Sequence, residues 1–207
     1  MIRIHSAILN TIFSYIIMFV LITPFLKNSK KHSTAIEHRT GIILFSLFII
    51  TVFNITGIPN FENIAYSPNI NFQPFKYFSR NFIEYFLNVI LFIPLGFFLP
   101  SLWKGFQKFK YVFISGFMIS AFIELFQLFA VRVTDINDIF TNTLGAIIGY
   151  YFYKSTKKVI PNTTEAMCLS DTKNSLFLKT EPFLYFTVCW ASMFFIKPVI
   201  ETYISFR

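Results

Sequence analysis

The sequence predicts an all-α membrane protein, a polytopic bundle of about six transmembrane helices with both termini outside. Three observations carry this reading. Of 207 residues, 55% are hydrophobic and 20% aromatic, while only 14% are charged, against roughly a quarter in soluble domains. Several apolar runs reach the about 20 residues that a helix needs to cross hydrocarbon. The lysines and arginines gather in alternate loops, a pattern that sets orientation in membrane proteins.

Taken in order, the runs are Ser6 to Leu26, Gly41 to Ile58, Phe82 to Trp103, Tyr111 to Val131, Asn137 to Tyr153 and Phe183 to Ile204. Asn142 dilutes the fifth, and Lys197-Pro198 interrupts the sixth. The first exceeds the roughly 7–15 residues of a signal-peptide core and no A-x-A-like site follows it, so it reads as a retained helix. Within the third, Pro94 removes a backbone donor and frees the carbonyl of Ile90, which predicts a bend. Gly96, two residues on, admits a neighbouring helix there. Cys168 lies in a polar loop and Cys189 in an apolar run, so neither a disulfide framework nor a C-x-x-C metal site is on offer.

The net charge of +8 would point to nucleic acid in a soluble protein. Here the positive residues are confined to loops, and no nucleic-acid partner is expected. Lys27, Lys30, Lys31 and Arg39 fill the first loop, Lys104, Lys108 and Lys110 the third, and Lys154, Lys157, Lys158, Lys173 and Lys179 the fifth. The alternate loops carry only Lys76, Arg80 and Arg132. The positive-inside rule therefore puts the lysine-rich loops in the cytoplasm. The outer loop 57–80, aromatic and rich in Asn and Pro, reads as a segment folded back on the membrane surface, and 157–182 reads as a linker to the last helix.

Polar residues converge at the outer level. On the fourth run, Glu124 and Gln127 lie about 60° apart on the helix circumference, and Arg132 emerges at the outer surface. Asp135 sits in the turn. On the fifth run, Asp138, Asn142, Gly145 and Gly149 form one stripe, polar outside and small further in, where Gly-x-x-x-Gly spacing lets another helix pack closely. Arg80, Glu84 and Asn88 follow i, i+4 spacing on the third run and arrive at a similar depth. A buried acid within a span costs about 2.5–3.5 kcal/mol at the centre, so Glu124 needs a partner, with Arg132 or Arg80 nearest. Intramembrane ionisable groups usually face the bundle interior or a watered cavity.

The chemistry open to this cluster is limited. His32 and His38 fall in the first loop and His5 at the N-terminus, so no zinc site is expected. Ser115 and Ser120 lack an accompanying base, which argues against serine catalysis. Glu84, Glu124, Asp135 and Asp138 supply oxygens of the kind that hold Mg²⁺ or Ca²⁺, and such an ion binds phosphate; alternatively Arg80 and Arg132 clamp a phosphate directly. No metal is assigned, no cofactor is indicated and no catalytic residue is singled out.

The segments NFQPF (71–75), NVILFIPLGFFLP (88–100) and ELFQLFAVRVTDINDIFTNTLGAIIGY (124–150) closely resemble the VanZ-like proteins. That resemblance implies a multi-pass protein of the bacterial plasma membrane, in a family whose namesake lowers susceptibility to the glycopeptide teicoplanin. The family's recurring residues carry over onto Asn71, Pro74, Asn88, Pro94, Gly96, Glu124, Gln127, Arg132, Asp135, Asp138, Asn142 and Gly145. The chain then divides into a first helix with its basic loop (1–39), a VanZ-like domain (40–153), and a linker with the last helix (154–207). Three functions compete: binding of an anionic lipid or lipid-linked cell-wall precursor at the outer leaflet, enzymatic modification of such a lipid, and transport. Confinement of the polar residues to one side counts against transport.

Overall fold

The computed structural model describes residues 36–66, 69–76, 78–130, 132–168 and 176–205, together with 12, 15, 16, 19–21, 23 and 24. The first apolar run and the lysines Lys27, Lys30, Lys31 and Lys173 thus lie largely or wholly outside the described residues. The positions of that run which are described are helical, and the Tyr15 hydroxyl hydrogen-bonds Thr51 at 2.8 Å.

The apolar runs form the long helices, named here α1 (Ile36–Thr56), α2 (Phe78–Leu102), α3 (Phe109–Gln127) and α4 (Ile136–Val159). Shorter helices α5 (Pro161–Met167), α6 (Leu176–Ala191) and α7 (Lys197–Ser205) follow. Four stretches are long and apolar enough to cross a membrane: Ile36–Thr56, Ser79–Leu102, Phe109–Gln127 and Thr180–Val199. Their outward faces carry bare apolar side chains such as Ile83 (70% exposed) and Met118 (59%). Lipid, not water, suits such faces, and the protein is an all-α membrane protein. The fifth run does form a helix of 24 residues, α4, but its Asn, Thr and Lys content keeps it out of that set of four.

Several boundaries differ from the sequence reading. Helix α3 stops at Gln127, four residues short of Val131, and a turn carries the chain to Arg132. Gly57, at φ 65°, ends α1 by donating its N–H to the Phe53 carbonyl at 3.1 Å, as a left-handed C-terminal glycine does. The stretch read as a linker contains α5 and the start of α6. The sixth run stays helical through a widened π turn at Ser192–Ile196. Pro198 has no N–H to offer four residues back, and the Phe194 carbonyl accepts the Phe61 N–H at 3.4 Å.

The most extensive helix contact joins α2 and α4, and glycine makes it close. A Cβ added to Gly96 would overlap the Ala146 carbonyl, one at Gly145 the Val89 carbonyl, and one at Gly149 the Ile93 carbonyl. Val89 meets Gly145 and Ile93, one turn on, meets Gly149, also one turn on, so α2 and α4 run parallel, with α3 returning between them. Each of the two is entered through a strand, β1 (Asn69–Asn71) and β2 (Val133–Asp135). The strands pair in parallel, with Asn69 opposite Val133 and Asn71 opposite Asp135. Sequence reading found neither, because three-residue strands leave no periodicity to detect.

His38 is not in a loop. It lies in α1, 1% exposed, with Nδ1 2.8 Å from the Met167 carbonyl and Nε2 3.7 Å from the Glu181 carboxylate. Glu181 also accepts Trp103 Nε1–H at 3.0 Å and the Tyr185 hydroxyl at 3.2 Å. This buried polar knot ties α1, α2, α5 and α6 together at the end of the bundle opposite β1 and β2.

Candidate functional site

A cleft of about 640 Å³ opens at the strand end of the bundle. All nine residues that the sequence offers as ligand-binding candidates line it: Arg80, Glu84 and Asn88 from α2, Glu124 and Gln127 from α3, Arg132 from the turn, Asp135 from β2, and Asp138 and Asn142 from α4. Asn71, Asn81, Val133 and the α1 terminus at Ile55 and Thr56 complete the wall. The helical-wheel argument succeeds because α2, α3 and α4 pack as a trio whose inward stripes meet.

The partners of these groups differ from the sequence reading. Glu124 is 3% exposed, and it is not paired with an arginine. Its Oε2 accepts the Asp135 backbone N–H at 2.9 Å, while the Thr134 hydroxyl donates to its backbone carbonyl at 3.3 Å. Arg132 lies past the end of α3 and turns toward α1, where its guanidinium donates to the carbonyls of Thr56 and, at 3.3 Å, Ile55. Helix C-termini leave such carbonyls unsatisfied, and positive charge is favoured there. The guanidinium lies against Gly57, where a Cβ would come within 3.0 Å of it.

Asp135 organises the entrance. Its Oδ1 caps α4 by accepting the Asn137 N–H at 2.9 Å and takes the Asn137 side-chain amide at 2.7 Å. Its Oδ2 accepts Asn71 Nδ2 at 3.0 Å, across the strand pair. Asn137 is fully buried, and its Oδ1 accepts the N–H of Phe75 at 2.9 Å. Phe75 stands at φ 51°, a conformation unusual for a bulky residue, and this bond helps hold it. The NFQPF segment, with Pro74 at its turn, is thereby pinned onto the start of α4. The backbone of Ala65 adds a bond to the Phe129 carbonyl at 3.0 Å, so the outer loop is tethered along its length. Asn137 escaped the sequence reading as a site residue; its place two positions after an Asp N-cap was the available signal.

Deeper in, Asn88 Nδ2 donates to Asp138 Oδ1 at 2.8 Å, Asn142 Nδ2 to Ser120 Oγ at 2.9 Å, and Gln127 Nε2 to the Thr56 carbonyl at 2.8 Å. Ser120 also donates to the Asp138 carbonyl at 3.4 Å, so its hydroxyl joins α3 to α4 and is not poised as a nucleophile. Among the described residues, no three His, Cys, Asp or Glu side chains converge closely enough to enclose a metal ion. Arg80 and Glu84 stand exposed at the rim.

Comparison with known proteins fits this geometry. Residues 8–159 match the VanZ/LLP1 family. The chain is 33% identical over 128 residues to Protein VanZ of Enterococcus faecium, an alignment spanning 56% of this chain and 74% of that protein. No solved structure matches. The matched stretch takes in every residue of the cleft.

Proposed function

This chain belongs to the VanZ/LLP1 family, and we propose that it is a multi-pass protein of the bacterial plasma membrane that engages an anionic lipid or a lipid-linked cell-wall precursor through the cleft. In this reading the bundle has about six spans with both termini outside, residues 40–153 carry the site, and the cleft faces the outer leaflet. Glycopeptide susceptibility, that to teicoplanin in particular, changes because the engaged molecule belongs to the envelope on which such drugs act. The observation that carries the reading is the cleft itself: polar and charged groups from α2, α3, α4 and the strand end meet in one open volume among helices whose outer faces are apolar. Arg80, at the rim with its guanidinium committed to no other group of the cleft, supplies the charge for a phosphate. The family match and the lysines described at the other end, Lys104, Lys108 and Lys110 between α2 and the start of α3 and Lys154, Lys157 and Lys158 at the end of α4, support the orientation.

Expression in a glycopeptide-sensitive bacterium tests it, with wild type set against Glu124→Gln. Reduced teicoplanin susceptibility with wild type, lost in the variant at equal membrane abundance, is the expected result. If wild type changes nothing, the link to susceptibility is wrong. Native mass spectrometry of gently solubilised protein tests the ligand separately: retention of phospholipid or polyprenyl phosphate no greater for wild type than for Arg80→Ala removes the binding role.

A further inference from the structure

The inner wall of the cleft has a consistent chemical bias. Asn88, Gln127 and Asn142 each use the NH₂ of their amide on the protein, toward Asp138, the Thr56 carbonyl and Ser120 respectively. Chemistry fixes which way the Asn88 and Gln127 amides point. A carboxylate and a backbone carbonyl accept only, so Asp138 and Thr56 must each receive an N–H, while the Ser120 hydroxyl donates to the Asp138 carbonyl and in that arrangement takes the Asn142 N–H. Gln127 Oε1 and Asn142 Oδ1 are buried with no hydrogen-bond partner, in residues only 6% and 3% exposed. The Glu124 and Asp138 carboxyls each have one oxygen engaged, Oε2 and Oδ1, toward Asp135 and Asn88.

Buried acceptors left unsatisfied are costly, and native proteins rarely keep two in one cleft without a use. The wall that carries them is rich in acceptors, Gln127 Oε1, Asn142 Oδ1 and the second oxygens of Glu124 and Asp138, and Arg132 spends its Nη1 on the carbonyls at the end of α1. A bare phosphate, itself an acceptor, is a poor match for those oxygens. The geometry points to a ligand headgroup in two parts: a phosphate at the rim beside Arg80, and a hydrogen-bond-donating group, hydroxyl or ammonium, inserted against Gln127 and Asn142. This rests on the reading of the cleft as a lipid-headgroup site and specifies which headgroups it takes.

The test compares three phospholipids of identical acyl chains on the purified full chain by competitive native mass spectrometry. Phosphatidate carries phosphate without a further group, phosphatidylglycerol adds hydroxyls, and phosphatidylethanolamine adds an ammonium. The expected result is retention of at least one donor-bearing lipid roughly fivefold or more over phosphatidate, the factor that one net hydrogen bond provides. Which of the two leads identifies the donor. Gln127→Met and Asn142→Leu, near-isosteric and without the acceptor, should each reduce that preference, whereas Arg80→Ala should weaken all three lipids alike. Wild type holding phosphatidate as well as both others overturns the inference while leaving lipid binding intact. Retention of no lipid above the Arg80→Ala level overturns the inference and the binding role together. The wild-type comparison decides even where a variant fails to fold, which its thermal melt reveals.

Discussion

The Glu124 carboxylate accepts the backbone N–H of Asp135 at 2.9 Å. One buried acid near the end of α3 thereby fixes the last residue of β2, whose own side chain caps α4. Glu124→Gln keeps an acceptor oxygen, but Glu124→Ala leaves that N–H without one. The alanine variant should lose about 1–3 kcal/mol more than the glutamine variant, measured by denaturant unfolding in detergent. Equal losses would mean that the charge, not the bond to Asp135, is what the fold uses.

The two arginines of the cleft should behave differently. Arg132 satisfies carbonyls at the end of α1, so Arg132→Ala should cost about 1–3 kcal/mol. Arg80 is exposed and holds no other group of the cleft, so Arg80→Ala should stay within about 0.5 kcal/mol. Paired melting curves check this, and a stability loss for Arg80→Ala matching that of Arg132→Ala would give Arg80 a structural role instead.

Close approach of α2 and α4 sets a second expectation. Gly96→Ala places a methyl group on the Ala146 backbone carbonyl, which cannot retreat as a flexible side chain can. Overpacking of this kind costs about 1–3 kcal/mol. Gly105→Ala is the control, since a Cβ there meets nothing within 4 Å. A melting temperature for Gly96→Ala no lower than that of the control would refute the packing.

The tether of the outer loop is open to hydrogen exchange. Asn71→Ala removes the side-chain bond to Asp135 but leaves the spans untouched. Amide exchange should accelerate in 57–76 and in β2, with α2 and α3 unchanged. Uniform exchange across wild type and variant would show that the Asn71 side chain is no part of the tether.

At the other end, Glu181 accepts from Trp103 and Tyr185. Glu181→Ala strands both donors in a buried site, with a loss of about 1–3 kcal/mol. Trp103 emission should shift as its indole N–H loses its acceptor. Trp190→Phe removes the other tryptophan, so the signal can be assigned. Emission unchanged in that background would deny the contact.

Much of this was legible without coordinates, and the reason is locality. Apolar runs mark helices because crossing hydrocarbon depends on length and composition, and the helical repeat assigns Glu124 with Gln127, and Asp138 with Asn142, to common faces. All nine candidate residues consequently line one cleft. The small residues Gly96, Gly145 and Gly149 were readable as contact points on the same grounds. Less legible was where a helix stops: α3 ends at Gln127, although the apolar run continues to Val131.

The sequence by itself determined the membrane class, the principal helices and the level at which polar groups gather, because hydropathy and the 3.6-residue repeat are properties of short stretches of chain. Only the tertiary structure decided who bonds to whom. Asn71 meets Asp135 from 64 positions away and Arg132 reaches Ile55 from 77; His38 leaves its expected loop to face Glu181. A hydrogen-bond partner is chosen by which groups packing brings within about 3 Å, and that distance depends on every helix at once. The same packing uses the amide donors of Asn88, Gln127 and Asn142 internally and leaves the amide oxygens of Gln127 and Asn142 without a partner, a bias of the site that no spacing in the sequence encodes.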